Sequence, residues 1–177
     1  FVPRARMFIR SSILRGLISR SGDIPGDKVA VMMFLTCYVF LLRLPSKCLP
    51  ITTAGVGVRE GEHAVIDIHE TSISLKLDRR KNRLHGSHLY RSCWCEECRL
   101  TCPVHVLAPF YKSLPAGAQP FAGFTAARAL EVLRLMLVSA KIPNAEKYRT
   151  HDLRRGHARD LQASGASLLD ILKAGEW

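Results

Sequence analysis

The sequence lacks an apolar segment long enough to cross a membrane. Its longest strongly apolar run, residues 29–42, has 14 residues, whereas a membrane-spanning helix needs about 20. We therefore predict a buried core helix here and no membrane partner. The sequence also contains no internal repeat and no low-complexity tract, and its 47% apolar residues argue against intrinsic disorder.

Acidic residues are scarce. The chain has 15 Asp and Glu against 26 Lys and Arg, a formal net charge of +11 over 177 residues. The first 20 residues contain five arginines and no acid. This excess predicts a polyanionic partner, with double-stranded DNA first, and a nuclear or otherwise DNA-associated intracellular location.

The arginine-rich start leaves another interpretation open, because transit peptides and membrane-surface segments have a similar composition. The chain begins with Phe rather than Met. We therefore expect residues 1–26 to be the edge of a longer protein.

The pattern of apolar residues predicts an α+β fold that is mainly helical with a small antiparallel β-sheet. Asp27 and Thr125 are suitable helix N-caps, whereas Pro45 and Pro143 limit the helices that precede them. The predicted helices cover residues 27–44, 103–111, 125–141, 151–165 and 167–173, and the predicted strands cover residues 64–68, 72–77 and 84–91.

Cysteines are concentrated in one short segment. Together with one histidine they supply five candidate metal ligands within 13 residues, more than the four that a structural zinc site needs. Their spacing matches no standard zinc finger, and a set of reduced thiols that packs a loop against the sheet would give the same pattern. The candidate ligands are Cys93, Cys95, Cys98, Cys102 and His105.

A second candidate site begins at the predicted helix 151–165. His151 and Arg154 are three residues apart, so on a helix they share a face and can meet one ligand. At a helix N-terminus the free backbone N–H groups and the helix dipole add to their attraction for an anion. Arg155 could hold a neighbouring phosphate. Lys147 and Arg149, which precede the helix, are also available for phosphate contacts.

These residues resemble a known family. The His-x-x-Arg motif is followed by Ala-Arg-Asp, a Gly and Ala-Gly-x-Trp, ending at Trp177. This order resembles the catalytic domain of tyrosine recombinases (the phage integrase family), in the Cre-like version that has Trp in place of a second His. The cysteine segment is similar to stretches in recombinases of crypton-type mobile elements.

The resemblance covers residues 27–177, with residues 93–105 as a Cys-rich insert, and it makes residues 1–26 a remnant of an N-terminal core-binding region or linker. It implies DNA strand breakage and rejoining through a 3′-phosphotyrosine, with no cofactor for catalysis and with a homo-oligomer of the intact enzyme on DNA. It also implies DNA integration or recombination as the function of the parent protein.

The resemblance also implies roles for individual residues. Arg43 and Arg154 would neutralise the scissile phosphate, and Trp177 would donate its indole N–H to the same group. His151 would assist proton transfer with the nucleophile, and Lys81 would protonate the departing 5′ oxygen. The neighbours of Lys81, which are Arg79, Arg80 and Arg83, would contact DNA.

Three features leave alternatives open. Arg43 also fits a helix-end arginine that reaches solvent, and Lys81 also fits a charged, solvated turn. The acid that follows the first catalytic Arg in the family is replaced by Ser46 and Lys47. The nucleophilic Tyr of the family follows the Trp, so we expect residues 1–177 alone to be inactive. The alternative function is a non-catalytic DNA-binding or zinc-binding relic of a mobile element.

Overall fold

The computed structural model describes residues 5–21, 25–55, 64–78 and 85–175. These residues form an α+β fold that is mainly helical and contains a small sheet, as the sequence predicts. The helices are α1 (Ser11–Arg20), α2 (Pro25–Val39), α3 (Cys95–Cys98), α4 (Ala108–Lys112), α5 (Ala126–Ser139), α6 (His151–Ala163) and α7 (Leu168–Gly175). The strands are β1 (Thr52–Thr53), β2 (Ala64–Ile68), β3 (Ser72–Leu77) and β4 (Ser87–Ser92).

The sheet has the order β1-β2-β3-β4. The pairs β2–β3 and β3–β4 are antiparallel, but β1 pairs with β2 in parallel. The sheet is therefore mixed, which corrects the prediction of an antiparallel sheet. Strand β1 is not among the predicted strands, because two residues are too few to show alternation.

Helix α2 passes through the centre of the core. Every described side chain from Ala30 to Leu42 is buried, which confirms the predicted core helix. No helix in the four described ranges is long and apolar enough to span a bilayer. The helix ends where Leu41 adopts a left-handed conformation, with φ at 51°, and where the Leu42 N–H donates to the Cys37 carbonyl at 2.9 Å.

Helix α1 and the segment before it belong to the same core. Ile9, Leu14 and Leu17 are buried in it. The segment crosses α6 closely, since the Ile9 N–H donates to the Asp152 carbonyl at 2.9 Å. A Cβ atom on Gly156 would lie 1.8 Å from the Ile9 carbonyl oxygen, so this crossing requires glycine.

The carboxylate of Asp160 stabilises the crossing of α6 by the N-terminal segment. It accepts hydrogen bonds from Arg10 Nε at 2.7 Å, from the Ser11 backbone N–H at 2.8 Å and from the Tyr38 hydroxyl at 2.6 Å. The Ser11 N–H is one of the groups that a helix leaves without an intrahelical partner at its start. Asp160 therefore joins α1, α2 and α6 at one point.

Candidate functional site

The start of α6 is held by a buried carboxylate. His151 is the first residue of the helix, and Asp152, which is only 1% exposed, follows it. The Asp152 carboxylate accepts the Arg149 backbone N–H at 2.8 Å and the Arg155 guanidinium at 2.9 Å. These bonds fix the turn that leads into α6 and fix the direction of Arg155.

A basic cleft opens beside this turn. It has a volume of about 410 Å³, and Lys147, Arg149, His151 and Arg155 line it together with Arg6. Asp152 is the acid in its wall, so positive charge predominates. The structure thus brings together four of the predicted site residues. The sequence reasoning missed Arg6 as a site residue, and the only signal was the excess of arginine in the first 20 residues.

Arg43 comes from a distant part of the sequence. It is exposed, although Leu42 and Leu44 on either side of it are each 1% exposed. The reversal at Leu41, which is unfavourable for a residue with a side chain, turns the chain so that the two leucines face the core and Arg43 faces outwards.

Arg91 fixes this turn relative to α7. Its Nε donates to the Val39 carbonyl at 2.9 Å and its Nη2 to the Ala174 carbonyl at 3.0 Å. Arg91 therefore links the end of α2, just before Arg43, to the end of α7. Sequence reasoning did not identify Arg91, because nothing in strand β4 marks it as different from a surface arginine.

Arg154 is almost completely buried, with 6% exposure. Its Nη2 donates to the Gly175 carbonyl at 3.3 Å, so the guanidinium lies against the last turn of α7. Trp177 lies outside the described residues. Gly175, which accepts the hydrogen bond from Arg154, is two residues before Trp177. Lys81, Arg79, Arg80 and Arg83 also lie outside the described residues.

The ionisation of His151 reflects the cations around it. Its pKa is lowered from its usual value, first by partial burial and then by the positive charges of Arg155, Arg154 and Arg43. Two of the predicted catalytic residues, Arg43 and Arg154, therefore act electrostatically on a third, His151. A neutral imidazole in this position can accept a proton.

Three of the four tyrosines in the sequence are buried. Tyr38 donates to Asp160, the Tyr111 hydroxyl lies 2.7 Å from that of Thr36, and Tyr148 precedes α6. Burial is the largest cause that raises the pKa of each, and for Tyr148 the charge of Asp152 adds to it. These phenols are held protonated. Tyr90, on β4, is 57% exposed.

Four of the five predicted metal ligands form a cluster. The ligand atoms of Cys93, Cys95, Cys102 and His105 all lie within 4.8 Å of one another, so these residues could hold a metal ion. His105 Nδ1 lies 3.4, 3.1 and 3.4 Å from the sulfurs of Cys93, Cys95 and Cys102. The sulfurs of Cys93 and Cys102 are 3.6 Å apart.

The fifth predicted ligand, Cys98, is not a member of this cluster. It is the last residue of the single turn α3, which begins at Cys95. Its side chain lines a separate cavity of about 430 Å³ beside Tyr38 and Asp160. Sequence spacing alone could not show which end of this turn faces His105.

The thiols of the cluster differ in acidity. Burial opposes ionisation of Cys102, but hydrogen bonds from His105 and from the Trp94 backbone outweigh it and lower its pKa to about 6. Burial and the neighbouring thiols Cys93 and Cys102 raise the pKa of Cys95 to about 12. One thiolate is thus favoured without a cation, and further ionisation is opposed by the neighbouring sulfurs.

A row of rings connects the cluster to α6. The Trp94 indole meets the His157 imidazole edge to face, with 5.6 Å between ring centroids. His157 in turn stacks on Tyr38 with centroids 4.5 Å apart, and one of its ring nitrogens bonds to the Tyr38 carbonyl. Sequence reasoning did not identify His157 as a site residue, and the structure shows that it is buried.

Comparison with known proteins identifies no family. No family model matches the chain, and no curated protein matches it. The resemblance to tyrosine recombinases therefore depends on the motif residues alone.

Proposed function

We propose that this chain is the DNA-binding catalytic domain of a tyrosine recombinase. The observation that carries the proposal is the basic cleft at the start of α6, where His151 lies beside Lys147, Arg149 and Arg155. The positive charges of Arg43, from the turn after α2, and of Arg154 also act on His151 and lower its pKa. Two guanidinium groups and one imidazole are suitable ligands for a single phosphodiester.

The basic cleft supports duplex DNA as the ligand. Arg6, Lys147 and Arg149 lie beside His151 and could contact phosphates that flank the central one. Contacts of this kind position a duplex without reading its sequence. The excess of 11 positive charges in the chain would attract DNA over a longer range.

The proposed chemistry is phosphoryl transfer. Arg43 and Arg154 would stabilise the charge that develops on the non-bridging oxygens, and a neutral His151 would take a proton from the attacking hydroxyl. The resemblance gives Lys81 and Trp177 the remaining roles and adds a tyrosine nucleophile after the Trp. We expect the chain to bind duplex DNA through the basic cleft.

A binding experiment tests the proposal. The Arg43→Ala variant should bind a labelled duplex roughly 10- to 100-fold more weakly than the wild type, because a charge-assisted contact contributes about 1.5–3 kcal/mol. Fluorescence anisotropy at constant salt gives the two dissociation constants. The control is Arg15→Ala, which removes an exposed guanidinium from α1. Equal affinities of the two variants would contradict the recombinase site and would favour a non-catalytic DNA-binding protein.

We also propose that the cluster of Cys93, Cys95, Cys102 and His105 holds a structural zinc ion. Tetrahedral zinc with the usual bond lengths separates two sulfurs by about 3.8 Å and a sulfur from a nitrogen by about 3.6 Å. The separations of 3.6 Å between sulfurs and 3.1–3.4 Å between sulfur and nitrogen are close to these values. Three thiolates and one imidazole also complete the coordination shell, as structural zinc sites require.

Elemental analysis of matched cysteine variants tests the zinc proposal. The wild type and Cys98→Ser should each retain about one equivalent of zinc after dialysis, because Cys98 lies outside the cluster. The Cys95→Ser variant should lose most of it, because removal of a ligand weakens the site. Less than half an equivalent in the wild type, or equal retention in both variants, would contradict the proposed ligands.

A further inference from the structure

We propose that Trp94 couples metal binding in the Cys93–His105 segment to the position of helix α6, so that the metal ion holds His151 and Arg154 in place. Trp94 is then a positioning residue that acts through His157. The inference rests on the zinc site proposed above and goes beyond it, because a purely local zinc site would have no effect on α6.

The position of Trp94 depends on the cluster. It lies between the two ligands Cys93 and Cys95, so its backbone cannot move without moving them. Its indole N–H donates to the Thr101 hydroxyl at 3.3 Å, and Thr101, which is 1% exposed, directly precedes the ligand Cys102. Ligation of the cluster would therefore fix both the backbone of Trp94 and the partner of its indole.

Trp94 transmits this constraint through a ring contact with α6. Its ring and that of His157 make an angle of 74°, which is the edge-to-face arrangement that aromatic pairs favour. His157 is 5% exposed and stacks on Tyr38 with an interplanar angle of 15°. It cannot move away from Trp94 without disturbing α2.

The same helix carries the proposed phosphate ligands. His157 and Arg154 are three residues apart on α6 and therefore share a face, and His151 is the first residue of that helix. Next to His157 along α6, Gly156 contacts the Ile9 backbone. The helix is thus held both by the N-terminal segment and by the Trp94 ring.

Metal binding supplies the energy for this coupling. A structural metal site is rarely preformed in its absence, so the free energy of metal binding also orders the segment that contains the ligands. Metal binding should order Trp94 and, through it, restrict the motion of α6. By thermodynamic linkage, any interaction that restricts α6 should raise the affinity for the metal by the same factor by which the metal strengthens that interaction.

Hydrogen–deuterium exchange of the 177-residue protein, with and without one equivalent of Zn²⁺, tests the inference. Zinc should slow exchange of α6 amides near His157 roughly 2- to 10-fold, which is the contribution of one aromatic pair. The amides of α5 are the internal control, because a general gain in stability would slow both helices equally.

Three variants identify the residue that transmits the effect. In Trp94→Ala the zinc-dependent slowing in α6 should disappear while about one equivalent of zinc remains bound, and in Trp94→Phe most of the slowing should return. The matched control is Leu100→Ala, because Leu100 lies in the same segment and is 44% exposed. This control should retain the full effect of zinc.

The outcomes separate the two proposals. If elemental analysis of the same samples finds no zinc in the wild type, the zinc site is wrong and the coupling falls with it. If zinc is bound but α6 exchanges at the same rate with and without it, or slows equally in Trp94→Ala, the zinc site stands and the coupling is overturned.

Discussion

The side chain of His157 lies inside the protein between the rings of Tyr38 and Trp94. Burial lowers its pKa from the usual 6.5 to about 4. The hydrogen bond to the Tyr38 carbonyl opposes this shift, the charge of Arg91 adds to it, and the charge of Asp160 opposes it. The folded protein therefore holds a neutral imidazole where the unfolded chain, near pH 5, holds a charged one.

This difference in the pKa of His157 between the folded and unfolded states predicts that the folded protein is less stable in acid. The folded state binds the proton of His157 less tightly than the unfolded state, so the stability from this group is complete above about pH 6.5 and falls as the pH decreases to about 4. We expect the free energy of unfolding to fall by about 3 kcal/mol over this range because of His157. Denaturant titrations at a series of pH values measure it.

Matched histidine variants isolate this contribution. His157→Phe keeps an aromatic ring between Tyr38 and Trp94 but cannot titrate, so its stability should depend less on pH by about the same 3 kcal/mol. His88→Gln removes an exposed histidine and should keep the pH dependence of the wild type. A His157→Phe profile that is parallel to the wild type between pH 4 and 6.5 would show that another group causes the acid sensitivity.

At the residue scale, prediction from sequence was possible where local spacing carries the information. Helix geometry predicts that His151 and Arg154 share a face of α6, and proximity in the chain predicts the five candidate metal ligands, four of which form a cluster. Arg91 and His157 could not be identified, because their roles depend on Val39, Ala174 and Tyr38, which are distant in sequence. The residues next to a histidine in the sequence also do not indicate whether its side chain is buried.

At the scale of secondary-structure elements, the crossing of α6 by the N-terminal segment is the most sensitive contact. Replacement of Gly156 by Ala would place a Cβ atom 1.8 Å from the Ile9 carbonyl oxygen and 2.2 Å from the Ile9 carbonyl carbon. One backbone must move, because no side-chain rotation relieves this contact. The segment that moves includes Arg6 and Met7, which line the basic cleft.

We predict that Gly156→Ala lowers the free energy of unfolding by about 1–3 kcal/mol or more, the usual cost of overpacking. The control is Gly16→Ala in α1, where nothing lies within 4 Å of the new Cβ atom, and it should raise stability by about 0.5–1 kcal/mol. Thermal or denaturant unfolding measures both. Changes of the same sign in the two variants would contradict the close crossing.

The elements themselves were predictable when they were long or regular. Strands β2 and β3 lie where the alternation of apolar residues predicts them, at residues 64–68 and 72–77. The Thr125 cap also forms as predicted, since its hydroxyl accepts the Arg128 backbone N–H at 3.1 Å. Strand β1 and the π-helical turn Leu44–Cys48 were not predicted, because such short elements depend on their tertiary neighbours and have no periodicity of their own.

For the molecule as a whole, the sequence predicted that the net charge is positive, but not which residues form a basic cleft. The basic cleft combines Arg6 with residues 147–155, two segments that only the tertiary fold brings together. A third segment, at Arg43, carries a positive charge that helps to lower the pKa of His151. Net charge alone could not have distinguished this arrangement from a uniformly basic surface.

The salt dependence of duplex binding tests the central claim most directly, because each phosphate contact contributes about 0.9 to the slope of log affinity against log salt. The double variant Lys147→Ala/Arg149→Ala should lower the magnitude of that slope by about 1.8. The control double variant Lys112→Ala/Arg15→Ala removes the same charges from exposed positions on α4 and α1 and should leave the slope nearly unchanged. Equal slopes for the two double variants would contradict a duplex bound in this cleft.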